Sequence, residues 1–401
     1  MSQRRTCLSS LLFTFIAMPA FAQAPAIVSE RPEWTARTAW RVEAQPFLRI
    51  GVADGEDAYL LDGVMGVVRL GSGGIAVATM GGSDVRIYDA RGRFVGKSGR
   101  RGQGPGEFSQ VMGMQRGAND SLIVMDGTNR LNVFAGNGSF ARTVTLQRDG
   151  AFASPAGHFA DGRILSTTWP QGREIKGSRW VEEMELFIAA PDGTGKRRIG
   201  ALPAAEFAPS DRYAAPVQFG KLMSIAVGAQ HFYHSFGDAF EIRQYDPDGR
   251  LVRTLRRAWT PRPVTKADID SFREDFVNAP NEGGSRSAEW KQFREMRFAQ
   301  MTFAETFAPI RGLRLDTQGN IWARHHTYQK ASEGGRNGFG AVPLGLTRYS
   351  VFSGTTGKWL GELDLPARFN PMEIGSDYVA GVARDGDGVE YVVVYRLVKP
   401  A

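Results

Sequence analysis

The feature that most constrains the fold is a hairpin signature that recurs along the chain. Turn residues flanked by alternating apolar positions occur in six segments, at residues 67–79, 113–126, 157–168, 223–236, 312–325 and 377–395. Apolar alternation around Gly and Asp predicts antiparallel hairpins. The early hairpins recur about every 45 residues, a period typical of four-stranded units repeated around an axis.

A second turn signature predicts the outer pair of strands in each unit. It occurs five times, as YDARGRF, VFAGNGSF, AAPDGTGK, YDPDGRL and FSGTTGKW. Six inner hairpins and five outer ones predict six blades with one outermost strand missing. The strand-like segment from Trp40 to Gly51 can supply that strand, which would close the ring and remove a free sheet edge. The sequence therefore predicts an all-β fold, a six-bladed β-propeller closed by an N-terminal strand.

Three longer segments interrupt the repeat, at residues 169–185, 260–309 and 327–344. The second, between the fourth and fifth blades, predicts a helical insertion. Thr265 and Asp268 resemble a capping box, and Ser287 is placed to cap a second helix.

Strand parity predicts where these inserts emerge. In an up-and-down blade, the loop between the second and third strands leaves the sheet at the same end as the link to the next blade. The three inserts and the glycine-rich link at residues 99–107 should therefore share one side, which we call the insert face. Rigid scaffolds carry function on long loops, so this loop-rich face and the axial mouth beside it are the predicted site.

The N-terminus predicts export. Arg4 and Arg5 precede an apolar run from Leu8 to Met18, and Ala20-Phe21-Ala22 has the small-x-small pattern of a signal peptidase site. We predict a signal peptide at residues 1–22 with cleavage after Ala22, a flexible lead at 23–38, and the propeller at 39–401. The predicted location is periplasmic or secreted. No segment is long and apolar enough to predict a membrane span.

Composition excludes some classes of partner and chemistry. The formal net charge is +7 and the charge is spread without a dense Lys/Arg run, so no nucleic-acid partner is predicted. The only cysteine is Cys7, so the predicted mature chain has no thiol. Because Gly-x-Ser-x-Gly is absent, no catalytic residue is predicted. The cofactor stays unassigned.

Arginines are the first candidate ligand-binding residues. Arg100 and Arg101, in the glycine-rich link, could present a pair of donors to an anion or carboxylate, or could simply be solvated. Arg311 aligns with an otherwise apolar column of inner-strand residues, which comprises Met65, Met112, Ala156 and Met223. A guanidinium in such a column needs a partner or water.

Aromatic residues and histidines complete the candidate set. Trp169, Trp180 and Trp290 lie in or beside the inserts, where they could stack on a ligand or anchor a loop. His325 and His326 end the second strand of the fifth blade. Adjacent strand residues point to opposite sides, so this pair cannot chelate a metal ion without a bulge, and no metal site is predicted.

The repeated D-x-x-G-R-[FL]-V pattern, followed in the first blade by GRRGQGPGEF, resembles NHL-repeat and related TolB-like six-bladed propellers. The resemblance covers about residues 40–398 and is strongest between 64 and 146. It implies an exported propeller whose relatives include metal-dependent lactonases and lyases as well as pure binding modules. We therefore expect a binding or interaction module for a small molecule, peptide or protein, with a metal-assisted lactonase or lyase as the alternative at the same mouth.

Overall fold

The computed structural model describes residues 24–147, 153–170, 174–210, 213–280, 286–328 and 342–400. These residues form strands arranged as six sheets, and two helices. In chain order the elements are β1 (Ala26–Ser29), β2 (Arg41–Ile50), β3 (Val64–Arg69), β4 (Ile75–Thr79), β5 (Asp84–Tyr88), β6 (Phe94–Ser98), β7 (Val111–Arg116), β8 (Leu122–Asp126), β9 (Arg130–Phe134), β10 (Phe140–Thr145), β11 (Ala153–His158), β12 (Ile164–Thr168), β13 (Trp180–Ala189), β14 (Arg197–Ser210), β15 (Tyr213–Pro216), β16 (Ser224–Val227), β17 (Phe232–Ser235), β18 (Glu241–Tyr245), β19 (Leu251–Arg257), α1 (Lys266–Asn278), α2 (Ala288–Ala299), β20 (Ile310–Leu315), β21 (Ile321–His325), β22 (Thr347–Phe352), β23 (Trp359–Leu365), β24 (Phe369–Ile374), β25 (Tyr378–Arg384) and β26 (Glu390–Val398).

The sheets confirm the predicted six-bladed β-propeller. In chain order the blades begin with β3, β7, β11, β16, β20 and β24, and successive strands within each blade pair antiparallel. The first strand of each blade lies nearest the axis, and neighbouring first strands contact one another there, as β3 does with β7 and with β24, and β16 with β11 and with β20. The channel along the axis is therefore lined by six short inner strands.

The N-terminal strand closes the ring, as predicted. β2 pairs antiparallel with β26, from Arg41 opposite Val398 to Ile50 opposite Val392. Ile50 is buried with Val64 and Tyr378 in the core between the sixth and first blades. This pairing gives the last blade its fourth strand and satisfies the backbone groups of β26.

Part of the segment predicted to be a flexible lead, residues 23–38, pairs with the propeller. β1 pairs in parallel with β19 and becomes a fifth strand of the fourth blade. Further along, Trp34 donates its backbone N–H to the carbonyl of Leu360 at 2.7 Å, and its ring lies 4.9 Å from that of Trp40. Backbone pairing and aromatic burial together hold this segment on the propeller. The predicted signal peptide, residues 1–22, lies outside the described residues.

Small residues on the inner strands allow neighbouring blades to approach closely. A Cβ placed on Gly66 would lie 2.5 Å from the Cβ of Met114 in the next blade, and one on Gly157 would lie 2.7 Å from the Cβ of Val227. A side chain at either position would push two blades apart. Gly113 and Gly312 meet only ordinary van der Waals contacts, so close blade packing does not require glycine there.

Both helices lie between β19 and β20. Thr265 and Asp268 form the predicted capping box, with each side chain bonded to the backbone N–H of the other residue. Ser287 caps α2 by accepting from the N–H of Trp290. Among the described residues, no helix is long and apolar enough to cross a bilayer.

Candidate functional site

Contacts between the inserts place parts of all three on one side of the propeller. Arg179, which precedes β13, donates to the carbonyl of Phe303 at 2.9 Å. Tyr328, which follows β21, donates its hydroxyl to the carboxylate of Asp275 in α1. These contacts agree with the predicted insert face. Residues 329–341 of the third insert lie outside the described part of the chain.

An aromatic cluster seats the helical insert on the propeller. Its centre is Phe219, a residue with a left-handed backbone (φ 60°) in the link between the third and fourth blades. The ring of Phe219 lies within 6 Å of four others, those of Phe272, Phe303, Phe307 and Tyr328. Because these rings come from the helical insert, its return segment and the connection that follows β21, the cluster ties the insert to the blades.

Replacing Phe219 with Ala should release this insert selectively. Losing a packed Phe typically costs about 3–5 kcal/mol, and here the lost contacts are with Phe272 of α1, with the return segment and with Tyr328. We expect faster amide hydrogen exchange in α1 and unchanged protection in β3–β10, measured by mass spectrometry. Faster exchange throughout the blades would show that the cluster supports the whole ring instead.

Several inner strands carry a β-bulge, and two of the bulge residues, Met65 and Met372, line the axial cavity described below. The extra residues are Met65, Met112, Ala156, Arg311 and Met372. Four of the five residues aligned from the sequence are thus bulge residues, whereas Met223 precedes a regularly paired strand. Bulges re-aim side chains and are common next to functional sites. Arg311 is the one charged residue among these five positions.

Arg311 and Arg324 form a cationic pair on the inner two strands of the fifth blade. A guanidinium nitrogen of Arg324 donates to the carbonyl of Arg311 at 3.3 Å. A Cβ on Gly312 would lie 3.7 Å from Nε of Arg324, so the Arg324 side chain lies over this glycine. Arg311 is accessible to water, yet the surrounding protein and the charge of Arg324 lower its pKa to about 10. Among the carboxylates that the structure describes, none pairs with either guanidinium.

The channel widens into a cavity of about 270 Å³ that is bordered by five blades. Arg314 reaches it from the fifth blade, three residues after Arg311, and His158 and Gln115 reach it from the third and second blades. Burial lowers the pKa of His158, so its imidazole is neutral at pH 7. Most of the remaining lining is apolar and rich in methionine: Met65, Met114, Ile123, Met125, Leu131 and Met372.

At the other end of the channel, the acidic residue Glu373 is already engaged. Its carboxylate accepts from the backbone N–H of Arg69 at 2.7 Å, from Nε of Arg116 at 3.0 Å and from the hydroxyl of Tyr378 at 2.7 Å. Burial together with this carboxylate raises the pKa of Tyr378. Glu373 therefore does not neutralise the arginines of the fifth blade.

His325 lines a separate pocket between the fourth and fifth blades, with Arg257, Trp259 and Glu362. Arg257 is 7% exposed in its side chain and pairs with Glu362 at 2.8 Å. The imidazole of His325 lies 2.9 Å from the Ser350 hydroxyl. Burial and the charge of Arg257 lower the pKa of His325 to about 3, so it is neutral at pH 7.

His326 points away from His325 and packs edge-on against the ring of Phe307 at 5.2 Å. The two adjacent histidines thus face different surroundings, as predicted. Burial and the charges of Arg311 and Arg324 lower the pKa of His326 to about 3. His326 is the sequence-predicted residue that the structure brings close to Arg311.

These two histidines predict acid sensitivity. Both have a folded pKa of about 3, below the unfolded value of about 6.5. Their contribution to stability is complete above pH 6.5 and is lost as the pH falls towards 3, because only the unfolded chain takes up the protons. Between pH 6.5 and pH 3, each histidine should lower the unfolding free energy by about 1.4 kcal/mol for every unit by which the pH falls.

Urea unfolding at pH 7 and pH 5 measures this dependence. We expect the variant with His325→Gln and His326→Gln to lose less unfolding free energy between these pH values than the unsubstituted protein. Equal losses in both proteins would show that the histidines titrate normally in the fold.

The other sequence-predicted candidates occupy different places. Arg100 pairs with Glu107 of its own loop at 2.7 Å, so its guanidinium already has a carboxylate partner. Arg101 is exposed in the same link. Trp180 donates to Glu182 at 2.9 Å and stacks on Phe207.

The two remaining tryptophans also differ in their surroundings. Trp290 donates to the carbonyl of Ala279, and this hydrogen bond ties α2 to the end of α1. Trp169 is 48% exposed in the β12–β13 connection. Trp290 therefore serves as an anchor within the insert, whereas Trp169 leaves about half of its surface open to solvent.

Sequence reasoning missed Arg324, Arg314 and the methionine-lined cavity. The repeat did contain a signal for Arg324. In the fifth blade Arg324 pairs with Gly312, whereas the residues that pair with the equivalent glycines of the first two blades are Ala78 and Met125. A charged residue at an apolar repeat position could have been singled out by that comparison. In the described part of the chain, no group of three or more His, Cys, Asp or Glu side chains is arranged to hold a metal ion.

Comparison with known proteins yields structural matches alone. No family model and no curated protein matches this chain. Among solved structures, a member of the DUF4221 family from Bacteroides vulgatus matches with a TM-score of 0.52 at 11% identity and covers 90% of this chain and 99% of that one. A gluconolactonase from Xanthomonas campestris matches with a TM-score of 0.42 at 14% identity (92% and 99% covered). Virginiamycin B lyase from Staphylococcus aureus matches with a TM-score of 0.40 at 8% identity (90% and 99% covered). At these identities the likenesses concern the fold, and the first of them supports the six-bladed β-propeller.

Proposed function

We propose that this chain is an exported binding module that holds a small anionic ligand at the axial mouth on its insert face. Arg311 and Arg324 are the binding residues, with Arg314 deeper in the channel. The observation that carries the proposal is the pair of neighbouring guanidinium groups with no carboxylate partner in the described residues. Like charges held together repel one another, and a bound anion would relieve that cost.

The surroundings favour an anion over other ligands. Hydrogen bonds between guanidinium and carboxylate or phosphate groups are among the strongest in proteins, and confinement by protein strengthens them further. His326, neutral and buried beside the pair, adds no opposing charge. Export is supported by the N-terminal residues, and the NHL/TolB type by the repeated turn motif.

Titration with sulfate and with succinate tests the proposal. At a constant ionic strength maintained with sodium chloride, each anion should raise the melting temperature saturably. Occupancy at 100 times Kd adds about 2.7 kcal/mol to the unfolding free energy. A rise that tracks ionic strength alone, with no heat of binding by calorimetry, would contradict anion binding. Hydrolysis of gluconolactone by protein supplied with a divalent metal ion would instead support the lactonase alternative.

A further inference from the structure

We infer that the ligand is an amphipathic anion, a carboxylate on a short apolar chain or ring. Its apolar body lies against the methionines of the second blade, and its charge faces the arginines of the fifth. This inference rests on the proposed function and specifies the class of ligand for the same channel.

The channel has two chemically different walls. In a ring of six blades, the second and fifth are three apart and therefore face each other across the axis. The second blade contributes Met114 and Met125 to the cavity, with Ile123 and Leu131 beside them. The fifth blade contributes Arg314 to the same cavity and carries Arg311 and Arg324 on its inner strands. A molecule spanning the cavity would meet thioethers on one side and the guanidinium of Arg314 on the other, with Arg311 and Arg324 on the same fifth blade.

The dimensions set the size of the apolar body. A water molecule in the liquid occupies about 30 Å³, so the cavity of about 270 Å³ has room for roughly nine waters. An apolar group of eight or nine non-hydrogen atoms would fill the same space. A bare inorganic anion would leave most of the apolar cavity wall in contact with water. An anion with an apolar group would bury that wall and gain additional affinity from it.

The wall residues suit variable apolar groups. Methionine is unbranched and polarisable, so it fills irregular gaps and adapts to different ligand shapes. The first and sixth blades add Met65 and Met372, both half-buried at their bulges. A pocket with apolar walls and a few polar groups is also the usual composition of a small-molecule site.

Calorimetric titration with a series of straight-chain carboxylates, from acetate to dodecanoate below their micelle concentrations, tests the ligand class. Each added methylene that enters the cavity should tighten binding about fourfold. The gain should stop at eight or nine carbons, when the cavity is full. Octanol and octyltrimethylammonium are the matched controls, and both should bind at least tenfold more weakly than octanoate.

Methionine oxidation provides a second test of the ligand class, and it uses the unsubstituted protein. Octanoate should slow the oxidation by peroxide of Met65, Met125 and Met372, followed by peptide mass spectrometry. Met296 is 56% exposed on α2 and should oxidise at the same rate with and without octanoate. Replacing Met125 with Gln should weaken octanoate binding while leaving sulfate binding unchanged.

The outcomes separate the two proposals. If sulfate and succinate bind but the carboxylate series is flat, the anion site stands and the amphipathic ligand is wrong. Binding of octanol as tight as that of octanoate, or no protection of the cavity methionines, would also overturn this inference. If no anion of any length binds, the proposed function itself is wrong.

Discussion

Replacing Arg311 with Met should make the ligand-free protein more stable and should abolish the stabilisation by anions. Arg311 lies beside Arg324 on the same blade, and desolvation by the surrounding protein, together with the charge of Arg324, lowers its pKa to about 10. Removing a poorly compensated charge in favour of an apolar residue is commonly stabilising. We expect the unfolding free energy of the ligand-free protein to rise by about 1 kcal/mol. The gain is small because the Arg311 side chain reaches water.

The same substitution should weaken binding of sulfate and succinate. A hydrogen bond to a charged group contributes about 1.5–3 kcal/mol, so the loss should be about 10- to 100-fold. Thermal unfolding with and without succinate, together with calorimetry, measures both effects. Arg142→Met on the exposed surface of β10 is the matched control and should change neither. A destabilised Arg311→Met protein that still binds succinate would assign Arg311 a structural role and contradict the proposed site.

The second large effect is expected at the ion pair where the ring closes. Glu390 and Arg384 pair within the sixth blade, and each side chain is 3% exposed. The Glu390 carboxylate also accepts from the backbone N–H of Val64 in the first blade at 2.9 Å. Glu390→Gln keeps an acceptor for Val64 but removes the negative charge that faces the buried guanidinium of Arg384. We expect a loss of about 3–5 kcal/mol of unfolding free energy.

Two comparisons isolate the cause of that loss. Adding Arg384→Met to Glu390→Gln removes the buried positive charge as well and should restore most of the stability. Glu43→Gln in the exposed pair with Arg396, on the same sheet, should cost less than about 1 kcal/mol. Urea unfolding of the four proteins measures these differences. A Glu390→Gln loss no greater than that of Glu43→Gln would show that the buried charge is solvated in the fold.

Short-range sequence patterns were sufficient to predict the propeller architecture. The hairpin repeat predicts six blades because alternation and turn residues act within about a dozen neighbouring positions. The same holds for the caps at Thr265 and Ser287, which depend on residues three positions apart. Closure by β2 followed from counting strands, because an unpaired edge at the last blade would be costly.

Local patterns failed where the outcome depends on a distant partner. The segment at 23–38 has no periodicity of its own, yet β1 becomes ordered because β19 offers it an open edge about 230 residues further along the chain. Trp290 and Arg100 are ambiguous for another reason: their partners, Ala279 and Glu107, are near in sequence but are reached only when the insert and the loop fold back on themselves.

The sequence by itself determined the number of blades, the closing strand and the face that carries the inserts, because these follow from short-range periodicity and strand parity. Only the tertiary structure decided what the channel contains. Arg311 is ambiguous as a single residue, and its character depends on Arg324 beside it and on Met114 and Met125 across the axis. The second and fifth blades face each other only because the ring closes, and no local pattern of side chains encodes that arrangement.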